Sequence, residues 1–174
     1  MEHAAVPSMV REQRLREWIA RYSGDVMKLC YVYLSDRGQA EDATQDTFLK
    51  AWRHMNDFER RGIGNEKAWL MRIAINTCKD YKRTGWFRHV DTRQSIDSMP
   101  PARAEDTADH DLAMDVRRLS DKFKQVVLLY YYQGMTIQET AKALGIPAST
   151  VHRRLKQAVA LLKDSLMGGD TYEG

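Results

Sequence analysis

The sequence predicts an all-α protein in which two small helical domains are joined by an acidic, flexible linker, with a helix-turn-helix in the C-terminal domain. The chain has 174 residues, enough for one ordinary domain or two small ones. Helix formers dominate on both sides of residues 85–115, and runs of β-branched residues are scarce. Residues 85–115 contain seven acidic and three basic residues and a Pro-Pro pair, which is typical of a linker. We therefore expect domains at 1–84 and 116–174, the second ending in a short disordered tail.

Composition excludes several classes of protein. A hydrophobic share of 43% with 29% charged residues indicates a globular chain rather than a disordered one. No apolar run approaches the roughly 20 residues that cross a bilayer, and the N-terminus has no apolar segment of the secretory kind, so we expect a cytoplasmic protein. Cys30 and Cys78 are too few and too far apart in sequence for a disulfide framework or a metal site, and we expect two small buried side chains. We expect neither a metal nor a cofactor.

The N-terminal piece is predicted to begin with three helices. The segment "MVREQRLREWIARYSGDVMKLCYVYLSD" indicates two helices separated near Ser23 and Gly24. The third, "RGQAEDATQDTFLKAWRHM", follows Ser35 and Asp36, which can cap it. The residues predicted to face the core from the first and third helices are Leu15, Trp18, Ile19, Tyr22, Ala43, Phe48, Leu49 and Trp52.

Acidic residues crowd the first turns of the third helix. Asp36, Glu41, Asp42 and Asp46 stand there against one basic residue, Arg37. These charges match the positive end of the helix dipole, which is the usual arrangement of a solvated helix start. They would also suit a docking face for a basic partner, and residue types alone favour the first interpretation.

The fourth predicted helix, residues 65–83, is apolar over most of its circumference. Four polar residues interrupt it at spacings of four, three and four, which places them in one stripe: Arg72, Asn76, Lys79 and Arg83. Three cations and an amide fit a row of phosphates, and the alternative is an ordinary solvated helix face. Residues 57–66 just before it contain two glycines and are predicted to form an adaptable loop. The residues of this helix expected to be buried are Trp69, Leu70, Ile73, Ala74, Ile75 and Cys78.

The C-terminal piece contains the most specific pattern. Four helices are predicted there, at 111–119, 121–133, 136–144 and 148–166. Ser120 and Thr136 are suitable N-caps, and Thr136 with Glu139 matches a capping box. Gly145 closes the third of these helices, since glycine takes the left-handed conformation at little cost, and Ala141 is small enough for close helix crossing. A short helix, a glycine turn and a second helix form a helix-turn-helix, whose second helix enters the DNA major groove.

Helical geometry sorts the last helix into two faces. The inward stripe is predicted to contain Val151, Leu155, Ala158 and Leu162. Arg and Lys side chains pair with guanine and Gln with adenine, so base contacts are predicted for the residues on and beside the outer face: Ser149, His152, Arg153, Lys156 and Gln157. Thr150 and Arg154 lie toward the sides, where phosphate contact is predicted. A basic solvated helix would explain these charges but not the cap, the glycine turn and the small Ala141 together.

Three segments resemble, in this order and separation, the extracytoplasmic-function sigma factors of bacterial RNA polymerase: "AEDATQDTFLKAW", "AWLMRIAINTCKDYKR" and "GMTIQETAKALGIPASTVHRRLKQAVALL". The resemblance extends from about residue 22 to about residue 166. It implies an alternative-type sigma factor that directs promoter-specific transcription initiation. The N-terminal domain is then expected to bind polymerase and to recognise and melt the minus-ten element. The C-terminal domain is expected to read the minus-thirty-five element, and the linker resembles the segment threaded toward the RNA exit path.

The resemblance also implies partners and residue roles. The expected partners are core RNA polymerase, through the clamp of its largest subunit and the flap of its second-largest subunit, promoter DNA, and an anti-sigma protein. The residues expected to contact the clamp are Glu41, Asp42, Gln45, Asp46, Phe48 and Leu49, which reverses the preference stated above for a merely solvated helix start. Those expected at the minus-ten element, where the loop captures a flipped base, are Arg60, Arg61, Asn65, Arg72, Asn76, Lys79 and Arg83. Those expected at the upstream element are Ser149, Thr150, His152, Arg153, Arg154, Lys156 and Gln157.

Three other classes of protein remain as alternatives. A pure protein-interaction module would show no salt-dependent affinity for DNA in any context. A stand-alone helix-turn-helix transcription regulator would share the C-terminal pattern but would leave the acidic third helix and the stripe on the fourth helix unexplained. An enzyme would need a phosphate-binding loop, a pair of histidines on one helix face or a nucleophile motif, and the sequence has none of these. We therefore expect no enzymatic activity and no small-molecule substrate.

Overall fold

The computed structural model describes residues 7–61, 65–85 and 114–167, and the predictions made for the linker and the C-terminal tail lie outside these ranges. The chain divides into two compact units, Met1–Ser98 and Met99–Gly174, which we describe separately. Every regular element in the described ranges is helical, as the sequence predicts. None of the described helices combines the length and the apolarity that a membrane span requires.

The N-terminal domain is built on three long helices that pack against one another, with a short fourth helix between two of them. The helices are α1 (Ser8–Leu34), α2 (Arg37–Arg53), α3 (Met55–Arg60) and α4 (Glu66–Gly85). Their largest fully buried side chains include Trp18, Leu29 and Tyr33 from α1 and Leu70 and Ile75 from α4. The two cysteines meet in this core as buried free thiols, in agreement with the prediction of small buried side chains. The hydrogen bond from Cys78 is the largest influence on the thiol of Cys30 and holds its pKa below the ordinary value.

The predicted break near Ser23 and Gly24 is wrong, because α1 runs through both residues as one helix. A helical glycine costs only about 1 kcal/mol relative to alanine. Buried residues on both sides of the glycine, Trp18 and Val26 among them, pack on one core and outweigh that cost. A Cβ added at Gly24 would meet no atom within 4 Å, so no steric constraint requires glycine at this position. Ile19, predicted to face the core, is 40% exposed.

Local hydrogen bonds define how α2 and α4 begin. The Oδ1 atom of Asp36 accepts a hydrogen bond from the backbone N–H of Gln39 at 2.9 Å, which confirms Asp36 as the N-cap of α2. Asn65 is the N-cap of α4, since its Oδ1 accepts a hydrogen bond from the backbone N–H of Ala68 at 2.9 Å. Part of the segment predicted as a loop, residues 57–66, is helical, because α3 extends to Arg60 and α4 begins at Glu66.

The C-terminal domain contains the predicted helix-turn-helix. Its elements are a helical segment at 114–118, α5 (Asp121–Val127) with a π-helical turn (Leu128–Tyr132), α6 (Ile137–Leu144) and α7 (Ala148–Met167). Thr136 caps α6 by accepting from the N–H of Glu139 at 3.1 Å, and Gly145 ends it with φ +67°. Ser120 stands at the N-cap position of α5 without a side-chain cap hydrogen bond. The π-turn, marked by the 3.0 Å bond from the N–H of Gln133 to the carbonyl of Leu128, interrupts what the sequence predicts as one regular helix.

Candidate nucleic-acid interfaces and acidic face

The outer face of α7 is basic and accessible. Val151, Leu155 and Ala158 are buried on its inner side, as predicted. The predicted base-contacting residues are all exposed, and they are Ser149, His152, Arg153, Lys156 and Gln157. Thr150 and Arg154 are half-buried at the sides of the helix. The helix-turn-helix therefore presents these seven side chains on and around one surface, in the arrangement that major-groove readout uses.

Aromatic residues of the π-turn lie beside this basic face. A cavity of about 360 Å³ is lined by Tyr130, Tyr131, Ile137, His152, Leu155, Lys156 and Val159. The rings of Tyr130 and Tyr131 meet edge to face with centroids 4.9 Å apart, and Tyr131 is 56% exposed. The run of three tyrosines in the sequence was the available signal for this surface, which sequence reasoning did not identify.

The predicted stripe on α4 also faces solvent. Arg72, Asn76, Lys79 and Arg83 are all exposed. Arg83 donates to Asp80 on the same helix at 2.9 Å, so its guanidinium is partly neutralised. The stripe therefore offers positive charge and an amide along one side of the helix, which suits contact with a nucleic-acid backbone.

A cavity of about 290 Å³ opens between α3 and the first turns of α4, and it is lined by His54, Asp57, Arg61, Trp69, Arg72, Ile73 and Asn76. Three of the predicted minus-ten residues, Arg61, Arg72 and Asn76, thus meet around one space. The other four do not line it. Lys79 and Arg83 lie further along α4, Arg60 pairs with Asp57 at 2.5 Å, and the side-chain oxygen of Asn65 caps α4. Sequence reasoning missed the lining residues His54 and Asp57, and it placed the half-buried Trp69 in the core.

The groups around this cavity suit a nucleobase. The half-buried Trp69 supplies an aromatic side chain to the cavity lining, which suits contact with a base. The amide of Asn76 can both donate and accept hydrogen bonds, and Arg72 can hold a phosphate. His54 and Asp57 are 3.5 Å apart between Nδ1 and Oδ2, which places one further polar pair at the cavity wall. Among the described residues, no group of three or more His, Cys, Asp or Glu side chains is placed to hold a metal ion.

The acid-rich half of α2 forms a second candidate surface, which we call the acidic face: Glu41, Asp42, Gln45 and Leu49, all exposed, with the half-buried Asp46 at its edge. Leu49 is 52% exposed, so its predicted place in the core is wrong. Phe48 is only 6% exposed and lies in the core. Because its side chain offers almost no surface, the expectation that Phe48 contacts a partner directly must be corrected.

Asp46 is tied to the neighbouring helix. The hydroxyl of Tyr81 on α4 donates a hydrogen bond to Oδ2 of Asp46 at 2.6 Å. Burial raises the pKa of Tyr81 well above its ordinary value, and the bond to Asp46 raises this pKa further. One edge of the acidic face is therefore fixed by a residue of the helix that carries the basic stripe.

This shift predicts a pH dependence for the N-terminal domain. The folded chain keeps the phenolic proton that the unfolded chain releases near pH 10, so the stabilisation is complete below about pH 10 and is lost as the pH rises beyond it. Between about pH 9 and pH 11, the free energy of unfolding should fall less in Tyr81→Phe than in the wild type, as measured by urea unfolding. Asp46→Asn should reduce this fall only in part, because burial is the larger cause of the shift. Coinciding profiles of wild type and Tyr81→Phe would contradict the prediction.

Comparison with known proteins relates both domains to one family. The sequence model of Sigma-70 region 2 matches residues 18–88, and that of Sigma-70 region 4 matches residues 116–164. The chain is 32% identical over 136 residues to the RNA polymerase sigma-E factor of Streptomyces coelicolor, covering 78% of this chain and 76% of that one. It is 33% identical over 139 residues to the ECF RNA polymerase sigma factor SigL of Mycobacterium tuberculosis, covering 75% and 76%.

A solved structure shares the fold. It is the sigma factor RpoE from Bartonella quintana, crystallised in complex with the anti-sigma factor NepR. The TM-score is 0.75 at 23% sequence identity, and the match covers 91% of this chain and 99% of that one.

Proposed function

This chain belongs to the extracytoplasmic-function sigma factors of the sigma-70 family. From that membership we propose which surface of the chain binds each partner during transcription initiation. As a sigma factor it directs promoter-specific initiation by RNA polymerase, a function that a stand-alone regulator would not share. We assign polymerase binding and the minus-ten element to the domain at 1–84, a linking role to 85–115, and the minus-thirty-five element to the domain at 116–174.

The observation that carries this assignment is the opposite charge of two neighbouring surfaces. The acidic face of α2 is negative and would repel DNA, whereas the stripe on α4 is positive and would attract it. We assign the acidic face to the clamp of the largest polymerase subunit, with the exposed Leu49 supplying apolar contact at its C-terminal end. Phe48 supports this face from the core.

The acidic face yields a direct test. Asp42→Lys reverses an exposed charge on α2 and should weaken binding to sigma-free core polymerase about tenfold or more, because like charges then meet at the interface. Equilibrium competition with a fluorescently labelled wild-type chain measures the affinity. Glu12→Lys makes the same charge change at an exposed position of α1 and should bind as the wild type does. Equal weakening by both variants would show a general charge effect and would count against the acidic face.

We assign the cavity between α3 and α4 to a base flipped from the minus-ten element. Stacking of one base on an aromatic side chain contributes about 1–3 kcal/mol, which offsets part of the cost of extruding the base, itself a few kcal/mol. Trp69 supplies the ring, and Asn76 and Arg61 supply polar groups beside it. Arg72, Lys79 and Arg83 follow the backbone of the melted strand, while Arg60 and Asn65 act from the rim of the cavity.

The C-terminal domain carries the remaining contacts. Arg153, Lys156 and Gln157 read base edges of the minus-thirty-five element together with Ser149 and His152, while Thr150 and Arg154 hold phosphates. The flap of the second-largest polymerase subunit is assigned to exposed apolar side chains of this domain away from the base-reading face, such as Leu161, which is 44% exposed. Simultaneous binding by two linked domains multiplies their separate weak affinities through effective concentration.

Regulation and location follow from the same assignment. A protein with this fold was crystallised with an anti-sigma factor, and we propose a partner of that class for this chain. We place the protein in the cytoplasm, where polymerase and promoter DNA are found.

Adding the purified chain to sigma-free core polymerase should start transcription from a small set of genomic fragments in a run-off assay. Tight DNA binding as a dimer with no transcription would instead support the stand-alone regulator.

A further inference from the structure

One face of α1 touches both walls of the cavity between α3 and α4 from behind. Arg14, Trp18, Arg21 and Asp25 recur at spacings of four, three and four, which places them on a single face of that helix. We call these four residues the α1 brace. None of them lines the cavity, and none belongs to the surfaces assigned above to DNA or polymerase.

The first half of the α1 brace holds α3. Arg14 forms an ion pair with Glu59, and its guanidinium lies 5.9 Å from the ring centre of Phe58. The ring of Trp18 meets that of Phe58 edge on, with centroids 5.5 Å apart. Phe58 and Glu59 directly follow the cavity-lining Asp57. The α3 wall is therefore fixed to α1 by one ion pair and one aromatic contact.

The second half of the α1 brace holds the beginning of α4. Arg21 lies 3.8 Å from the carboxylate of Glu66, and Asp25 lies 3.7 Å from the ammonium group of Lys67. The same Trp18 ring contacts Trp69, which lines the cavity, at a centroid distance of 5.5 Å. One helix thus bridges the two walls, with Trp18 touching both of them.

We propose that the α1 brace is a positioning element for base selection at the minus-ten element. It sets the separation of the α3 and α4 walls before DNA arrives, so that the cavity is preorganised for one base rather than adaptable to several. Arg14, Arg21 and Asp25 are positioning residues, since they act through Phe58, Glu59 and the first turn of α4. The inference rests on the proposed function of the cavity as a base-binding site.

The ion pairs of the α1 brace can be altered without unfolding the domain. Their side chains keep substantial contact with solvent, from 29% exposure for Glu66 to 68% for Arg21, and exposed pairs contribute little to global stability. Trp18 is unsuitable for this purpose because it is a core residue at 1% exposure. Charge reversal of the pairs therefore separates wall positioning from folding.

The test is a charge swap in the full chain bound to core polymerase. The double variant Arg14→Glu and Asp25→Lys sets like charges against Glu59 and Lys67 with no change in net charge. Transcription is measured from promoters carrying each of the four bases at every minus-ten position. The preference for the favoured base over the others should fall roughly three- to tenfold, because two attractive pairs become repulsive. Adding Glu59→Arg and Lys67→Asp should restore the preference.

Matched controls make the outcome decisive. Glu12→Lys with Arg16→Glu changes two exposed α1 residues, again with no change in net charge, and should keep the wild-type preference. If the double reversal fails to fold, Glu59→Ala with Lys67→Ala removes the pairs without repulsion, and a fall of about twofold is expected. Unchanged base preference in the folded variants would contradict the positioning role of the α1 brace and would leave the proposed function of the cavity intact. A wild type with no base preference at any minus-ten position would overturn the base-binding cavity, and the inference with it.

Discussion

Replacing Trp18 with alanine is expected to lower the free energy of unfolding of the N-terminal domain by about 3–5 kcal/mol. Trp18 is 1% exposed, and its ring contacts those of Phe58 and Trp69, each at a centroid distance of 5.5 Å. Truncation removes both aromatic contacts and leaves a cavity that rigid helices fill only in part. Small domains are stable by about 5–15 kcal/mol, so this one change consumes a large share of that stability.

The measurement can be confined to the N-terminal domain. Trp18, Trp52 and Trp69 lie in this domain, and the fourth tryptophan, Trp86, lies in the linker segment. Because residues 116–174 contain no tryptophan, the change in tryptophan emission during urea unfolding reports the N-terminal domain and not the helix-turn-helix. Ile19→Ala, at the next residue of the same helix but 40% exposed, should change stability by less than about 1 kcal/mol. Equal urea midpoints for Trp18→Ala and Ile19→Ala would show that the aromatic cluster does not hold the domain together.

The parts of the fold that sequence reasoning predicted are those that depend on local chemistry. Asp36 and Thr136 cap their helices through backbone groups three residues away, and Gly145 ends a helix by its own backbone angles. The inward stripe of α7 follows from the spacing of Val151 and Leu155 alone. These features depend only on residues that are close in the sequence, so the sequence pattern is sufficient to predict them.

The sequence-based predictions were wrong where the burial or conformation of a residue depends on contacts with residues far away in the sequence. Periodicity alone did not distinguish Phe48, which is buried, from the adjacent Leu49, which is 52% exposed, because the packing of other helices against α2 determines which one is covered. Likewise, nothing local to Gly24 indicates that the core packing on both sides keeps α1 continuous. The cavity combines residues from His54 to Asn76, and its support by Trp18 is visible only in three dimensions.

The two proposed surfaces of the N-terminal domain are joined through side chains of α2 and α4. Besides the bond from Tyr81 to Asp46, Lys50 on α2 donates to the hydroxyl of Thr77 at 3.1 Å and lies 3.7 Å from the carboxylate of Asp80. Thr77 and Asp80 lie on the helix that carries the basic stripe. Polymerase bound at the acidic face would therefore rest on the same pair of helices to which we assign contact with the melted strand.

Replacing Arg153 and Lys156 together with alanine is expected to cause the largest loss of DNA discrimination. Both side chains are exposed on the outer face of α7, and each good contact to a base edge contributes about 1–3 kcal/mol of discrimination. If the two contributions add, the ratio of binding to matched and scrambled minus-thirty-five elements should fall by about 2–6 kcal/mol, or roughly 30-fold to more than 10⁴-fold. The ratio is measured with polymerase-bound chain at one fixed salt concentration, since phosphate contacts make affinity depend on salt.

A control on the same helix distinguishes base reading from simple attraction to phosphate. Lys163→Ala removes one exposed positive charge from α7 about two turns beyond Lys156 and should leave the ratio of matched to scrambled binding unchanged. The single variants Arg153→Ala and Lys156→Ala should each relax preference at one or two upstream base pairs, which a panel of single-base promoter changes resolves. A loss of equal size on all sequences, with a shallower dependence of affinity on salt, would reassign Arg153 and Lys156 to the phosphate backbone. Selection of the upstream element would then have to come from Gln157, His152 and Ser149.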